Sequence, residues 1–516
     1  MASGTLVSRC LGLTRVVLLA SVIGLVSPVA SAFATANTVP NSLYLLLAGG
    51  VLNSAIVPAV VRLSAEAGGD VALNRLMTIC ITAAAGLSVL VVAAAPLVPR
   101  LFAASFGPDL ADLTVAFAYW CLPQFYFYCV FAVVGQVLNA RGVYGPFTWA
   151  PVVNNAVAII GLLLVLVTRT GDSGVASWTA SDVALLGGTS TLGVALQALV
   201  LLPFLRRAGI RPRWRLKRTD LPLDVGHVMG WALGSALINQ LGFVVISNVT
   251  NASAERRGGG RNLWDNAFLL LMLPHSLVTV SLATALFTRF SAAATQGDAV
   301  AMSQQLDRGV RLIASMLTPC AVLLAVFAAD VTRTLYPGSS VADTQALAAV
   351  VRVMSLALLP LSLQHLLQRV MYAHRAAKAA CFVQLLIVSI TASWSLGLGT
   401  VVPARRLVQV AASGQALGLT VGVIASALVV RSHVPSMASI LVQSLARSTV
   451  PAIAAGAFAG VLRFALLPPA TSSWHEAATG LLVGGSSLIV VYVLLGLANG
   501  AIDRGDVRRL IDRASR

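Results

Sequence analysis

Residues 74–98 read NRLMTICITAAAGLSVLVVAAAPLV, and their one charge, Arg75, sits at the start. A helix rises about 1.5 Å per residue, so such a run crosses the roughly 30 Å hydrocarbon core of a bilayer while satisfying its own backbone hydrogen bonds. Comparable runs recur at approximately 5–28, 32–62, 112–139, 147–168, 182–205, 222–250, 263–288, 308–329, 344–371, 377–401, 407–430, 448–467 and 477–499, separated by short hinges of Gly, Pro and Arg. The pattern predicts an all-α polytopic membrane protein of about fourteen transmembrane helices. Composition agrees, since a chain of 516 residues that is 58% hydrophobic and 10% charged cannot hide so much apolar surface in one water-soluble core. No segment is left for a soluble catalytic domain. No Ser/His/Asp set, metal cluster or phosphate-cradling glycine loop stands out, so neither enzymatic chemistry nor a cofactor is expected.

The formal charge of +17 does not point to nucleic acid, because the arginines are scattered among apolar spans instead of forming a water-facing patch. The six cysteines, Cys10, Cys80, Cys121, Cys129, Cys320 and Cys381, lie in or beside apolar runs without a CxxC pair and read as small packing residues. At the N-terminus, Arg9 and Arg15 followed by Val16 to Ser27 and Ala30-Ser31-Ala32 resemble a secretory signal with its cleavage site. The apolar stretch begins at Leu6, however, and runs past both arginines. It is therefore read as the first helix.

With a cytoplasmic N-terminus, 23 Lys or Arg fall on the cytoplasmic side, 8 on the other and four within helices. The positive-inside rule then places both termini in the cytoplasm, which an even number of spans requires. The cluster Arg206, Arg207, Arg211, Arg213, Arg215, Lys217 and Arg218 dominates the count and reads as a topology anchor that also meets anionic lipid headgroups. Glu255, Arg256, Arg257 and Arg261 run against the rule. A weak repeat at an offset of about 234 residues sets Pro40-Asn41-Ser42-Leu43 against Pro274-His275-Ser276-Leu277, and Leu122-Pro123 and Arg141 against Leu359-Pro360 and Arg375. Two parallel six-helix lobes are expected from it. The anticipated division is an N-lobe at 1–206, a basic linker at 207–221, a C-lobe at 222–431, two further helices at 432–499 and a basic tail at 500–516.

An arginine at mid-helix costs about 2.5–3.5 kcal/mol on insertion scales, so Arg9 and Arg15 call for a wet cavity, an anion or a route to the headgroups. Arg9 can snorkel, whereas Arg15 is deeper and points to function. Arg352 and Arg463 lie near enough to span ends to reach water. The eighteen acidic residues fall in loops, at helix ends or in the tail, which disfavours a cation antiporter needing an embedded carboxylate. An arginine-lined cavity without carboxylates prefers anions, and guanidinium matches a diphosphate in bidentate geometry. Further candidate cavity or hinge residues are Pro40, Asn41, Gly49, Gly50, Asn155, Pro274, His275 and Arg352, with Pro123, Pro151, Pro360 and Asn154 beside them. His275 and His365 read more simply as packed side chains.

Ser8-Arg9-Cys10-Leu11-Gly12-Leu13-Thr14-Arg15 resembles the SRxLGxxR motif of the MurJ (MviN) family of lipid II flippases, within the MATE-like exporter superfamily. Ala36 to Asn41, Leu47 to Leu52 and Leu273 to Leu282 resemble its actinobacterial branch. Gly135 to Asn139 and Ala150-Pro151 with Asn155 are similar to the family's GxxLN and APxxxN. The resemblance implies a two-lobe fold with two extra C-terminal helices in the bacterial cytoplasmic membrane. It also implies that Ser8, Arg9 and Arg15 line an N-lobe cavity for the lipid II diphosphate, with the last two helices making a groove for the polyprenyl tail. Where the broader family has an acidic residue and two basic ones, this chain has Val16, Tyr44 and Leu269, and Leu45 stands where the branch often has Glu. The expected activity is export of lipid II, or a similar polyprenyl-diphosphate saccharide, by alternating access. The alternatives are an exporter of another polyprenyl-linked polysaccharide unit and a non-transporting scaffold that recruits cell-wall synthesis proteins.

Overall fold

The computed structural model describes residues 2–47, 59–60, 63, 69–169, 174–210, 227–256, 258–466 and 473–502. Gly49, Gly50, most of the 207–221 linker and the tail from Asp503 lie outside them. No strand occurs among the described residues, and Met1–Asn262 and Leu263–Arg516 form two compact units. Among the described residues, twelve helical segments are long and apolar enough to cross a membrane. The 22-residue α1 (Ala2–Ile23) and 20-residue α2 (Pro28–Leu47) precede them in the places of the first two expected spans.

In the first unit, α3 (Asp70–Ala93) leads through the short α4 (Leu97–Phe102) to α5 (Pro108–Cys121) and α6 (Gln124–Ala140). Proline lacks the N–H that would continue α5, so this span breaks at Leu122-Pro123. α7 (Gly145–Thr168) keeps Pro151 inside it, and α8 (Ala180–Leu199), α9 (Leu202–Arg207) and α10 (His227–Asn251) complete the unit. α1 lies along α7, α2 along α5, and α7 packs closely on α8. A Cβ on Gly193 would meet Asn154 Oδ1 at 2.5 Å, so only glycine permits this approach. Phe33 and Phe117 meet edge to face at 5.3 Å inside the core joining α1, α2 and α5.

α10 packs on α2 and α4, within this unit. The compact first unit runs on to Asn262. The physical reason is a polar seam at one end of α10. Asn251 donates to Thr35 Oγ1 and the Phe102 carbonyl, both at 2.9 Å, and Asn248 donates to the Leu101 carbonyl at 2.6 Å. Arg261, 6% exposed, reaches Ser247 Oγ at 3.1 Å and lies over Phe243 at 4.6 Å. Glu255 accepts from the Gly107 N–H at 2.8 Å. The charges at Glu255 and Arg261, which defied the charge rule, are thus structural ties.

The second unit begins within α11 (Gly260–Pro274), whose C-terminal part continues into a π-helical turn (His275–Val280), and goes on through α12 (Ser281–Gln296), α13 (Ala299–Val326), α14 (Ala328–Leu335) and α15 (Val341–Met354). α16 (Leu358–Ala373), α17 (Ala377–Gly399), α18 (Leu407–Val430), α19 (Met437–Leu466) and α20 (Trp474–Asn499) follow. α17 and α18 pack most closely, through Gly414, Gly418 and Gly422 at every fourth position; a Cβ on Gly418 would meet Thr391 Oγ1 at 2.3 Å. α19 and α20 pair with each other and lie against α13 and α14.

Candidate functional site

Ser8, Arg9 and Arg15 lie on α1, the half-buried helix set along α7. Asn155, one turn beyond Pro151, donates to the Ser8 carbonyl at 2.9 Å and contacts Ser8 Oγ at 3.4 Å. Gly12 passes close over the same amide, since a Cβ there would sit 3.6 Å from Asn155 Nδ2. Asn155 therefore fixes the rotation of α1 about its axis. Six residues turn a helix by about 240°, so Arg9 and Arg15 leave α1 in different directions. Arg15 is within electrostatic reach of Cys121 and Tyr128, which stand on either side of the break between α5 and α6. Neither arginine makes a hydrogen bond or ion pair to the described residues.

On α2, Asn37, Asn41 and Tyr44 recur at i, i+4 and i+7 and share one face. Gln124 and Tyr128 share a face of α6 in the same way. Gln124 Nε2 donates to Asn37 Oδ1 at 2.8 Å, and the Tyr44 and Tyr128 rings stack at 5.7 Å with 29° between planes. Pro40 is buried within α2. Asn41 is one of the expected cavity residues and Tyr44 a noted departure from the family pattern; Asn37, Gln124 and Tyr128, which complete the two facing rows, were not among the candidates, although the i, i+4, i+7 spacing on α2 was readable.

In the second unit His275 is 5% exposed at the first position of the π turn, its Nδ1 2.9 Å from Ser362 Oγ. Ser362 donates its own hydrogen to the Leu358 carbonyl at 2.8 Å. Its oxygen must then accept from His275, which fixes the Nδ1–H tautomer. His365 meets His275 edge to face at 5.7 Å. Pro274 ends the regular helix just before this turn. Arg352 is exposed in the last turn of α15, with Nε 3.3 Å from the Ala325 carbonyl. Arg463 does not reach water as its position suggested. It is 2% exposed and holds Asp330 through Nη2 at 2.9 Å and Nε at 3.2 Å. Asp330 is correspondingly a buried carboxylate, carried on the short α14.

The sequence profile of the family described as Lipid II flippase MurJ matches residues 19–473. The chain belongs to the MurJ family. Lipid II flippase MurJ of Burkholderia cenocepacia is 28% identical over 344 residues, 64% of each chain. The probable lipid II flippase MurJ of Haemophilus influenzae is 28% identical over 357 residues, 64% of this chain and 66% of that one. The chain thus spans just under two thirds of the length of these relatives. A solved lipid II flippase MurJ in an inward closed conformation superposes with a TM-score of 0.72 over 96% of this chain and 97% of that one, at 17% identity. An inward-facing MATE family multidrug transporter superposes at 0.66 over 83% and 96%, at 14% identity. These superpositions establish a multi-span transporter fold.

Proposed function

We propose that this MurJ-family chain moves lipid II, or a close polyprenyl-diphosphate saccharide, from the inner to the outer leaflet of the bacterial cytoplasmic membrane by alternating access. The observation that carries the reading is Arg15, a half-buried arginine of the first unit without a counter-anion among the described residues. A buried cation of this kind is costly unless an anion visits it. A diphosphate supplies paired oxygens that match the guanidinium fork. Arg9 and Ser8 stand on the same helix, Ser8 held by Asn155, and extend the diphosphate site toward the headgroup region. α19 and α20 offer a groove for the polyprenyl chain, and the basic segment after α9 meets anionic lipid. Each negative charge leaving a negative interior gains about 2.3 kcal/mol per 100 mV, which drives export without an embedded carboxylate when the empty carrier resets without moving charge.

Purified protein in liposomes should expose fluorescent lipid II in the opposite leaflet. Arg15→Ala is expected to abolish this while insertion stays intact, Arg15→Lys to rescue it in part because an ammonium lacks the planar fork, and Arg9→Ala to act more mildly. Wild-type transport rates in Arg15→Ala would show that the diphosphate is held elsewhere.

A further inference from the structure

The first unit carries a second set of polar groups that the diphosphate reading does not use. Asn37 accepts the Gln124 amide through Oδ1, but its Nδ2 makes no hydrogen bond to the described residues. The Asn41 amide and the Tyr44 hydroxyl likewise bond to none of them. Tyr128 Oη is 3.5 Å from Gln124 Oε1, the outer limit of a hydrogen bond. An amide in hydrocarbon without a partner costs several kcal/mol, so these half-buried groups face water or a polar ligand and not lipid. Their arrangement is a ladder between two helices, with an amide rung, Asn37 to Gln124, and an aromatic rung, Tyr44 to Tyr128; Asn41 lies between them on the α2 side.

Amides flanked by tyrosine rings are the chemistry of sugar recognition. Amide groups exchange paired donors and acceptors with ring hydroxyls, while the electron-rich face of a phenol packs against the C–H face of a pyranose. A diphosphate alone asks for cations. Where the broader family carries a basic residue, Tyr44 adds a neutral aromatic face. Both the Arg15 charge and the Tyr44 hydroxyl lie close enough to act on the Tyr128 hydroxyl. The arginine and the ladder thus belong to the same unit, within electrostatic reach of each other, as a diphosphate is of the first sugar of a lipid-linked saccharide. We propose that Asn37, Asn41, Tyr44, Gln124 and Tyr128 form a saccharide-recognising wall beside Arg15, which selects the glycan of the cargo while the arginine holds its diphosphate. The assignment rests on the transport reading above and specifies the part of the substrate that this wall reads.

The test compares two lipids on the full chain in nanodiscs: lipid II, and undecaprenyl diphosphate, which has the same diphosphate and tail without sugars. Wild type should bind lipid II at least tenfold more tightly. Tyr128→Leu and Asn41→Ala should each weaken lipid II about tenfold, the scale of one or two lost hydrogen bonds, and leave undecaprenyl diphosphate within twofold. Arg15→Ala should weaken both. Asn41 has no hydrogen bond within the described protein to lose, so Asn41→Ala keeps the test available if Tyr128→Leu does not fold. Equal affinities of wild type for the two lipids, or parallel losses for both in Asn41→Ala, would overturn the wall and leave the transport reading standing. Wild type that bound neither lipid would overturn both.

Discussion

Arginine inside a bilayer has to be paired, hydrated or led to the headgroups, and this chain solves the problem differently at Arg463 and Arg15. Arg463 is locked to Asp330, with side-chain exposures of 2% and 8%. Gly480 makes room, since a Cβ there would fall 2.5 Å from Arg463 Nε and 2.7 Å from Asp330 Oδ1. Trp474 adds a hydrogen bond to the Thr334 carbonyl at 2.8 Å, so the start of α20 is tied to the end of α14. Removing one partner of a buried pair strands the other charge, at a cost of about 3–5 kcal/mol, whereas replacing both with apolar residues can be nearly neutral. Asp330→Ala should therefore lower the thermal unfolding midpoint in detergent sharply, and Asp330→Leu with Arg463→Leu should recover most of it. An Asp330→Ala midpoint equal to wild type would mean that the pair contributes nothing. Arg15 has no such lock, which is what separates a ligand-facing arginine from a structural one. The sequence could not make that distinction, because Asp330 and Arg463 are 133 residues apart.

Helices in lipid associate through close approach and polar contacts more than through hydrophobic burial, and the recurring small residues of α17 with α18 and of α7 with α8 follow from that. The ends of these helices are governed by water. His374 caps α16 and stacks on His433, in the turn after α18, with ring centroids 3.9 Å apart and planes 6° apart. Desolvation, and then the neighbouring His433, lower the His374 pKa below its ordinary 6.5. The folded state thus favours the neutral ring. The stabilisation is complete above pH 6.5 and is lost as the pH falls toward the depressed folded-state value. Unfolding midpoints measured from pH 8 to pH 5 should fall more steeply in wild type than in His374→Phe; identical slopes would dismiss the stack as a contributor. Runs of about twenty apolar residues made the existence of the spans from α3 onward readable, because length and polarity are local properties, but α13 and α19 begin at Ala299 and Met437, well before the expected 308 and 448, where amphipathic first turns hide the helix start. The π turn after Pro274 and the α2–α6 ladder were not readable as such, since each depends on which faces of separate helices meet.

Charge along the whole chain carries information that no single helix holds. With an even number of spans and a cytoplasmic N-terminus, the sequence places 23 Lys or Arg on one side against 8 on the other. Insertion retains positive loops in the cytoplasm, because moving them outward opposes the membrane potential. One exception to the rule is consumed in folding, since Arg261 is buried against Ser247 and Phe243. A charge consumed in folding contacts within the first unit is a poor guide to orientation, so Arg261 carries little weight against the bias. Both termini are therefore expected in the cytoplasm. A fluorescent reporter that matures only in the cytoplasm should light up when fused after Arg516, and a phosphatase active only after export should stay silent at the same position. Fusions in the loop between α7 and α8 should behave in the opposite way. A C-terminal phosphatase fusion with full activity would overturn the pairing of an even number of spans with a cytoplasmic N-terminus, and with it the fourteen-helix reading.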